Sequence, residues 1–510
     1  MGRVVERWSR FEIEIAPDGA RSMTGPTVRF ISPDGRTCER LAFVDVGGVR
    51  RVRFMPDAIG RWRIEAPGIS DQFDCIETGA DNPLARHGRL RVSRSGTHLE
   101  HADGTPFFLL SDTAWNGALL SNDEEWNRYA MLRREQRFTA VQFVAHAPWR
   151  TAPLDADGRV SFRNSGDDFE ILPGAWLRID RRIETLNRLG LFAMPVMVWS
   201  CLKDDPGQYL SESNLVELLR YQLARFGADH VIWIPFGDGD YRKNPDRWCR
   251  VGREVFGGDA TRRCPVAIHP GGQQWPYESW DDHDWYDIVG YQGGHGVSEN
   301  ELRWETSGPP VRLSGRLGKP VVNLEPPYEG HRAYGTNRPL NDFEVRRASW
   351  WSVLLTPVSG LSYGAHGVWS WEKSRGEPLN HLGSGEASPW HEAAMLPAAT
   401  QLRHLVSTLE TANWTALRPD PDLLVHPPQN PADFVAVASV PGRSRVLVYT
   451  PTSRPLELRI DSARYDGHWV RAATGEVCPA KADIADETGD GAARFVPPSQ
   501  GDCVLVLNRN

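Results

Sequence analysis

The sequence predicts an α/β protein: a (β/α)8 barrel of the TIM type, flanked by an N-terminal and a C-terminal β-sandwich. Three observations carry this. Between about residues 95 and 408, short apolar runs alternate with longer amphipathic segments, and eight strand candidates can be counted. On either side of that stretch the pattern changes to period-2 alternation punctuated by Pro and Gly. No G-x-G-x-x-G follows the first apolar run, which counts against an open dinucleotide-binding sheet. Eight repeats in roughly 310 residues fit a closed barrel better than an open one.

The N-terminal region, residues 1–80, holds strand-length segments at 11–15, 27–31, 49–54 and 61–65, with Pro33-Asp34-Gly35 as a turn. Alternating side chains and frequent turns predict a small antiparallel sandwich. The polar stretch Gly79-Ala80-Asp81-Asn82-Pro83 reads as a linker. Barrel strands are expected at 106–111, 140–145, 192–199, 231–236, 265–269, 288–291, 320–324 and 360–363. Helices are expected at 123–136 capped by Asn122, and at 175–189 ended by Gly190. Others are expected at 215–226, 246–256 and 343–355, while 275–285 and 300–318 are less clearly helical. A helix at 391–409 should close the barrel, and the runs 434–438, 445–449, 456–460 and 504–507 predict a C-terminal sandwich over 413–510. No solenoid or propeller period is present.

Composition narrows the function classes. The chain has 510 residues, 40% apolar and 24% charged, the balance of a soluble globular protein of two or three domains. A net charge of −8 argues against nucleic acid as a partner. No apolar run approaches the ~20 residues of a membrane span. The seven cysteines, Cys38, Cys75, Cys201, Cys249, Cys264, Cys478 and Cys503, are odd in number and form no C-x-x-C pair. They read as free thiols of a reducing compartment. Met1 to Arg7 carry no signal-peptide h-region, so a cytoplasmic location is expected. The 20 tryptophans are many; most should fill the core, and some should stack on sugar rings.

In a TIM barrel the site lies at the C-terminal ends of the strands. There the sequence offers Asp112 and Trp115 after the first strand, Gln142, His146 and Trp149 on and after the second, and Trp199 after the third. Asp238 and Asp240 follow the fourth, His269 ends the fifth, Tyr291 ends the sixth with Gln292 and His295 after it, Glu325, Tyr328 and Glu329 follow the seventh, and His366 and Trp369 the eighth. Carboxylates among aromatic faces are what carbohydrate chemistry needs. Glycoside hydrolysis uses two carboxyl groups flanking one bond, about 5–5.5 Å apart in a retaining enzyme. Asp238 and Glu325 each follow a barrel strand directly and lie across the mouth from each other, so Asp238 is expected as general acid/base and Glu325 as nucleophile. Asp240 and Glu329 are their rivals. Asp112, Gln142, His146 and His269 are candidate hydroxyl ligands; Trp115, Trp199, Tyr291, Tyr328 and Trp369 are candidate platforms. The histidines form no H-E-x-x-H or H-x-H pair, so no metal is expected.

The run Phe107-Phe108-Leu109-Leu110-Ser111-Asp112-Thr113-Ala114-Trp115 resembles the first-strand signature of the apiosidase-like glycoside hydrolases, a barrel first catalogued as a domain of unknown function. Gly237-Asp238 and Leu324-Glu325 resemble that family's acid/base and nucleophile positions. The segment from Val52 to Trp62 is similar to an N-terminal sandwich often fused to these barrels, and Phe495 to Leu507 to a C-terminal collagen-binding-type module. The resemblance implies hydrolysis of a glycosidic linkage in a polysaccharide, with a branch sugar such as apiose or another pentose, and no cofactor. Two departures stand out: Gly237-Asp238 where such barrels usually carry Asn-Glu, and Cys503 where the C-terminal module usually has an aromatic residue. The expected function is a retaining exo-glycosidase with carbohydrate as its partner and an oligomeric state the sequence does not reveal. The alternatives are a non-catalytic carbohydrate-binding protein on the same scaffold, and metal-assisted hydrolysis.

Overall fold

A computed structural model of the chain describes residues 3–16, 22–66, 68–79, 81–165, 168–258, 264–280, 284–484, 492–498 and 500–510. Its centre is a mixed α/β fold around a curled, all-parallel sheet. Seven strands share it, in the order Ile234–Phe236, Phe192–Val198, Ala140–Val144, Leu109–Thr113, Gly360–Gly364, Val321–Glu325, Val289–Gln292. The segment expected as a fifth strand, 265–269, forms single bridges instead: Trp233 with Val266, and Ala267 with Ile288. Pro265 has no N–H to give a ladder, and Pro270-Gly271-Gly272 ends the run at once.

Period-2 alternation divides the side chains of these strands. Leu109, Ala140, Val144, Phe192, Met194, Val196, Ile232, Ile234, Ala267, Ile288, Val322 and Leu324 pack together inside the curl. Their neighbours Leu110, Val141, Phe143, Ala193, Val231, Trp233, Val289 and Val321 pack outward against the helices. The helices meet them with 3.6-period stripes. In Pro173–Arg188, Trp176, Ile179, Ile183 and Leu186 are all fully buried.

Local signals set the helix ends. Asn122 and Glu125 form a reciprocal capping box at Asp123–Glu135, and Asn341 and Glu344 do the same at Asp342–Leu354. The ambiguous stretch 300–318 contains two helices, Glu299–Ser307 and Pro309–Leu313. Its periodicity is interrupted by Gly308-Pro309-Pro310, yet Ser298 and Glu301 form a third capping box. The expected closing helix is divided into Trp390–Ala393 and Pro397–Thr411, because Pro397 can open a helix but not continue one. Of the expected linker, Ala80 lies outside the described residues, and Asn82 caps the short helix Pro83–His87. No helix among the described residues is long and apolar enough to cross a membrane.

The N-terminal strands form one seven-stranded sheet, antiparallel except where Arg3–Glu6 joins Ile69–Ile76. It curls until its two ends face each other, stacking Phe11 on Phe73 at 4.2 Å. At the other end of the chain a six-stranded and a three-stranded antiparallel sheet enclose Val446, Val448, Leu458, Phe495 and Leu505. Both flanks are tied to the central helices by buried charge. Arg53 of the strand Arg50–Phe54 gives Nη1 to Asp180 Oδ1 at 2.6 Å, and Arg225 gives Nη2 to Asp180 Oδ2 at 2.6 Å. Burial pushes the Asp180 carboxyl up, but the two guanidiniums outweigh it and hold it below its ordinary range. On the C-terminal side Arg346 gives two N–H groups to Asp502, at 2.8 and 3.1 Å.

Asp180→Ala leaves two buried guanidiniums short of a partner, so a loss of about 3–5 kcal/mol is expected in urea unfolding. Because the pKa of Asp180 is depressed on folding, its contribution is present above the ordinary carboxylate range and is lost as pH falls through the lowered value. The difference between wild type and variant should therefore shrink in acid.

Candidate active site

Where the parallel strands end, Trp115, Trp149, Trp199, Asp238, Gln292, His295, Glu325, Tyr328, His331 and Trp369 converge on a cavity of about 210 Å³. They are supplied by seven strand ends and the loops after them, with Gln292 and His295 sharing the sixth and Glu325, Tyr328 and His331 the seventh. Four indoles link edge to face around it: Trp115 with Trp199 at 5.2 Å, Trp199 with Trp149 at 6.0 Å, and Trp149 with Trp369 at 5.3 Å.

Glu325 reaches the cavity through a break in register. On Val321–Glu325, Val322 and Leu324 point into the curl, so simple alternation would turn Glu325 outward with Val321. The pairing with the neighbouring strand runs Val321–Val289, Val322–Gly290, Asn323–Tyr291 and then steps to Glu325–Gln292. One extra residue on the seventh strand puts Glu325 in phase with the inward-facing Gln292. The carbonyl of Leu324, at the step, accepts a hydrogen bond from Gln142 Nε2 at 2.7 Å. Gln142 also donates to Thr113 Oγ1, at 2.6 Å.

Asp238 follows the fourth strand, in a corner so crowded that three positions around it are glycine. A Cβ on Gly237 would fall 2.4 Å from the Trp199 ring. One on Gly271 would lie 3.0 Å from Asp238 Oδ1, and one on Gly272 2.8 Å from Gln292 Oε1. Burial raises the Asp238 carboxyl to about 7, and the negative charge of Glu325 adds to the rise. Burial also raises Glu325, against the opposing effects of His269, Gln292 and Tyr328.

The hydrogen bonds around the histidines set their tautomers. His295 Nδ1 accepts from the Tyr328 N–H at 3.3 Å, so its Nε2 carries the proton and donates to Glu325 Oε1 at 3.1 Å. His366 Nδ1 accepts from Trp369 Nε1 at 3.1 Å, so its Nε2 donates to the Gly385 carbonyl at 2.9 Å. His331 Nδ1 donates to the Arg332 carbonyl at 2.8 Å, which leaves Nε2 as an acceptor. His381 Nδ1 accepts from Arg150 Nη1 at 3.1 Å. Burial drives His295 down to about 3 and His366 to about 4, so these rings are neutral near pH 7. No group of three or more His, Cys, Asp or Glu placed to hold a metal occurs among the described residues.

Of the residues singled out in the sequence, Asp238, Glu325, Trp115, Trp149, Trp199, Gln292, His295, Tyr328 and Trp369 line this cavity. His269 lies just beneath it, fully buried, with Nε2 3.4 Å from Glu325 Oε2. His366 stands behind Trp369, and Gln142 lies below within the curl. His146 faces a neighbouring cavity. Asp240 sits at the rim, paired with Arg242 at 2.7 Å, and that partner holds its carboxyl below the ordinary range. Two residues require correction. Asp112 does not face the mouth: it lies inside the strand Leu109–Thr113 in the outward phase of Leu110, where Arg133 Nε reaches it at 2.6 Å and the Tyr129 hydroxyl also donates to it. Tyr291 shares the outward phase of Val289 and packs on Trp304. Glu329, the rival of Glu325, is turned away to the Tyr363 hydroxyl at 2.7 Å and the Ala398 N–H. The sequence reading missed Arg150, His331, Tyr334 and His381 as lining residues. They lie in long loops after the second, seventh and eighth strands, where no periodicity marks them.

The sequence profile of the apiosidase-like catalytic domain matches residues 93–416. The chain belongs to the apiosidase-like family. That makes it a glycoside hydrolase by class. A search of curated proteins finds no match. Among solved structures, a glycoside hydrolase superposes with a TM-score of 0.69 at 21% identity, covering 84% of this chain and 98% of its own. A family 5 glycoside hydrolase from Bacteroides vulgatus gives 0.71 at 21% identity, over 84% and 95%. A second Bacteroides vulgatus protein, assigned provisionally to the glycoside hydrolases, gives 0.71 at 18% identity over the full length of both chains. At these identities the likeness concerns the fold.

The apiosidase-like chain thus carries two carboxyls, Glu325 buried and Asp238 partly buried, in each other's field. In Glu325→Gln one negative neighbour is gone while the burial remains. The Asp238 carboxyl, followed by ¹³C NMR, should titrate near 7 in the wild type and at lower pH in the variant. An unmoved titration would mean that the two groups do not interact.

Proposed function

We propose that the protein is a retaining, exo-acting glycosidase that removes one branch sugar, apiose-like or another pentose, from an oligosaccharide or polysaccharide. One observation carries the reading: Asp238 and Glu325 line the same small aromatic cavity and differ in what surrounds them. Asp238 is raised to about 7, so it keeps its proton through the weakly acidic range and a substantial fraction still carries it at neutrality, as an acid must. Glu325 receives the His295 Nε2–H, a donor that favours its charged form. In the first step Glu325 attacks the anomeric carbon while Asp238 protonates the departing oxygen. In the second, ionised Asp238 takes a proton from water, and that water displaces Glu325 from the sugar. At about 210 Å³ the cavity is below the roughly 300 Å³ at which drug-sized pockets begin, which suits a single small ring.

The same reading takes the parallel sheet as a closed (β/α)8 barrel over residues 95–408, with β-sandwich domains at 1–80 and 413–510. The bridges from Val266 to the fourth strand and from Ala267 to the sixth support closure. Separate apolar cores in the two flanks support the division. Seven cysteines with no disulfide among them suit a reducing compartment, in keeping with a cytoplasmic enzyme.

The test is hydrolysis of a panel of 4-nitrophenyl glycosides and plant polysaccharides. On a cleaved substrate, Asp238→Asn and Glu325→Gln are expected to lose about 10²–10⁴-fold in kcat/KM. For the wild type, kcat/KM should fall as pH rises through about 7, where Asp238 gives up its proton. Retention of the anomeric configuration, read by ¹H NMR of the first product, checks the stereochemistry. Both variants turning over like wild type would remove the assignment.

A further inference from the structure

Asn323 is out of keeping with its surroundings. It stands in the outward phase of the seventh strand, in register with Tyr291 on one neighbour and Leu361 on the other, and both of those belong to the apolar layer under the helices. It is 1% exposed and does not line the cavity. Packing alone asks for an apolar side chain at such a position, because a buried amide costs free energy until its donor and acceptor groups are matched.

The amide is matched, and its partners lead to Glu325. Ser352, on the helix Asp342–Leu354 behind the sheet, gives its own proton to the Ala348 carbonyl at 2.7 Å, so its oxygen accepts from Asn323 Nδ2 at 3.0 Å. That orients the amide and turns its Oδ1 to the Gly293 N–H, which donates at 3.2 Å. The approach is close: a Cβ on Gly293 would fall 3.0 Å from Asn323 Nδ2. Gly294 follows with a φ of +83°, a left-handed conformation that suits glycine, and gives its N–H to the Glu325 carbonyl at 3.1 Å. His295 comes next, and its Nε2–H meets the Glu325 carboxylate. The same short turn therefore holds Glu325 by its backbone and by its side chain, and Asn323 fastens that turn to the strand and to the helix behind.

We propose that Asn323 is a positioning residue for the nucleophile: it pins the Gly293-Gly294 turn to the seventh strand, and the turn keeps Glu325 in the cavity with His295 against it. The proposal rests on Glu325 acting as the nucleophile. Without the amide, the Gly293 N–H loses its acceptor. The stepped pairing of Gln292 with Glu325 then loses support against the regular register, in which Glu325 points outward. Gln273 still holds the carbonyls of Gln292 and Gly293 from the fifth-strand side, at 2.9 and 3.2 Å, so the turn shifts rather than unravels.

Asn323→Leu replaces the amide by an apolar side chain of similar size, and Ser352→Ala removes only the oxygen that orients it. Both are compared with wild type on a 4-nitrophenyl glycoside that the wild type cleaves, with circular dichroism as the check on folding. In Asn323→Leu, kcat is expected to fall roughly 10–100-fold, the scale of a misplacement of about 1 Å, while KM stays within about twofold. Ser352→Ala should lose about three- to tenfold in kcat, the worth of one hydrogen bond, and it carries the test if Asn323→Leu does not fold. A pH profile separates lost aim from general loosening. The negative charge of Glu325 helps to hold Asp238 near 7. A Glu325 turned out of the cavity therefore moves the upper limb of kcat/KM to lower pH in both variants. Wild-type kcat in the folded variants would overturn the proposal. So would a loss confined to KM, or a loss of kcat with the upper limb unmoved. Each of these can occur with Glu325→Gln inactive, which leaves the nucleophile in place; an active Glu325→Gln would instead remove the assignment on which the proposal rests.

Discussion

The site depends on one register step in the seventh strand. Val322 and Leu324 are placed inward by alternation, and alternation alone would turn Glu325 outward with Val321. One extra residue between the Asn323–Tyr291 and Glu325–Gln292 pairs turns it into the mouth. Such a step frees a backbone group from the ladder, and the freed Leu324 carbonyl is taken up by Gln142 from across the curl. Gln142 thus acts below the cavity, holding the strand in the geometry that aims Glu325. The outward Asn323 is fixed from the other side by Ser352, to which its Nδ2 donates at 3.0 Å.

Aiming two carboxyls into one small cavity has an electrostatic consequence. Each loses water, and each feels the other. The protein answers asymmetrically. Glu325 has donors around it: the His295 Nε2–H, Gln292 and Tyr328. Asp238 has the Cys201 thiol and the charge of Arg150, and its proton is held to about 7. The histidine tautomers are part of that asymmetry. If His295 Nδ1 carried the proton, it would oppose the Tyr328 N–H and present a lone pair to Glu325. A single backbone N–H therefore decides which face of the ring meets the carboxylate.

Much of this was legible in the sequence. The alternation of apolar runs and amphipathic segments located every parallel strand within a few residues, and amphipathic periodicity, with stop signals such as Gly190, located most helices. The carboxylates at the fourth and seventh strand ends were visible because each directly follows an apolar run. The two corrections share one cause. Asp112 was taken for a residue just beyond its strand and Tyr291 for one at the open end of its strand, whereas each lies within a strand, where parity decides its direction. Leu110 and Val289, two residues earlier, already showed that phase. The residues missed are of another kind. His331, Tyr334 and His381 are brought to the cavity by loops whose course is set by packing among aromatic rings, such as His331 on His295 at 4.5 Å, and no local pattern encodes that.

The strand-four departure has a steric reason. Trp199 leaves no space for a Cβ at position 237, so glycine must precede the acid. The indole that excludes a side chain there is also part of the wall between this cavity and the neighbouring one that His146 faces. A larger residue at 237 would need a smaller one at 199, and the wall would open. The shorter Asp238 follows from the same crowding. Gly271 and Gly272 bring the fifth-strand loop in close, with Asp238 Oδ1 3.0 Å from where a Gly271 Cβ would stand, so the acid needs less reach than a glutamate would give. The unusual Gly-Asp pair, the tryptophan beside it and the two glycines opposite form one packing solution, and each makes sense only with the others in place.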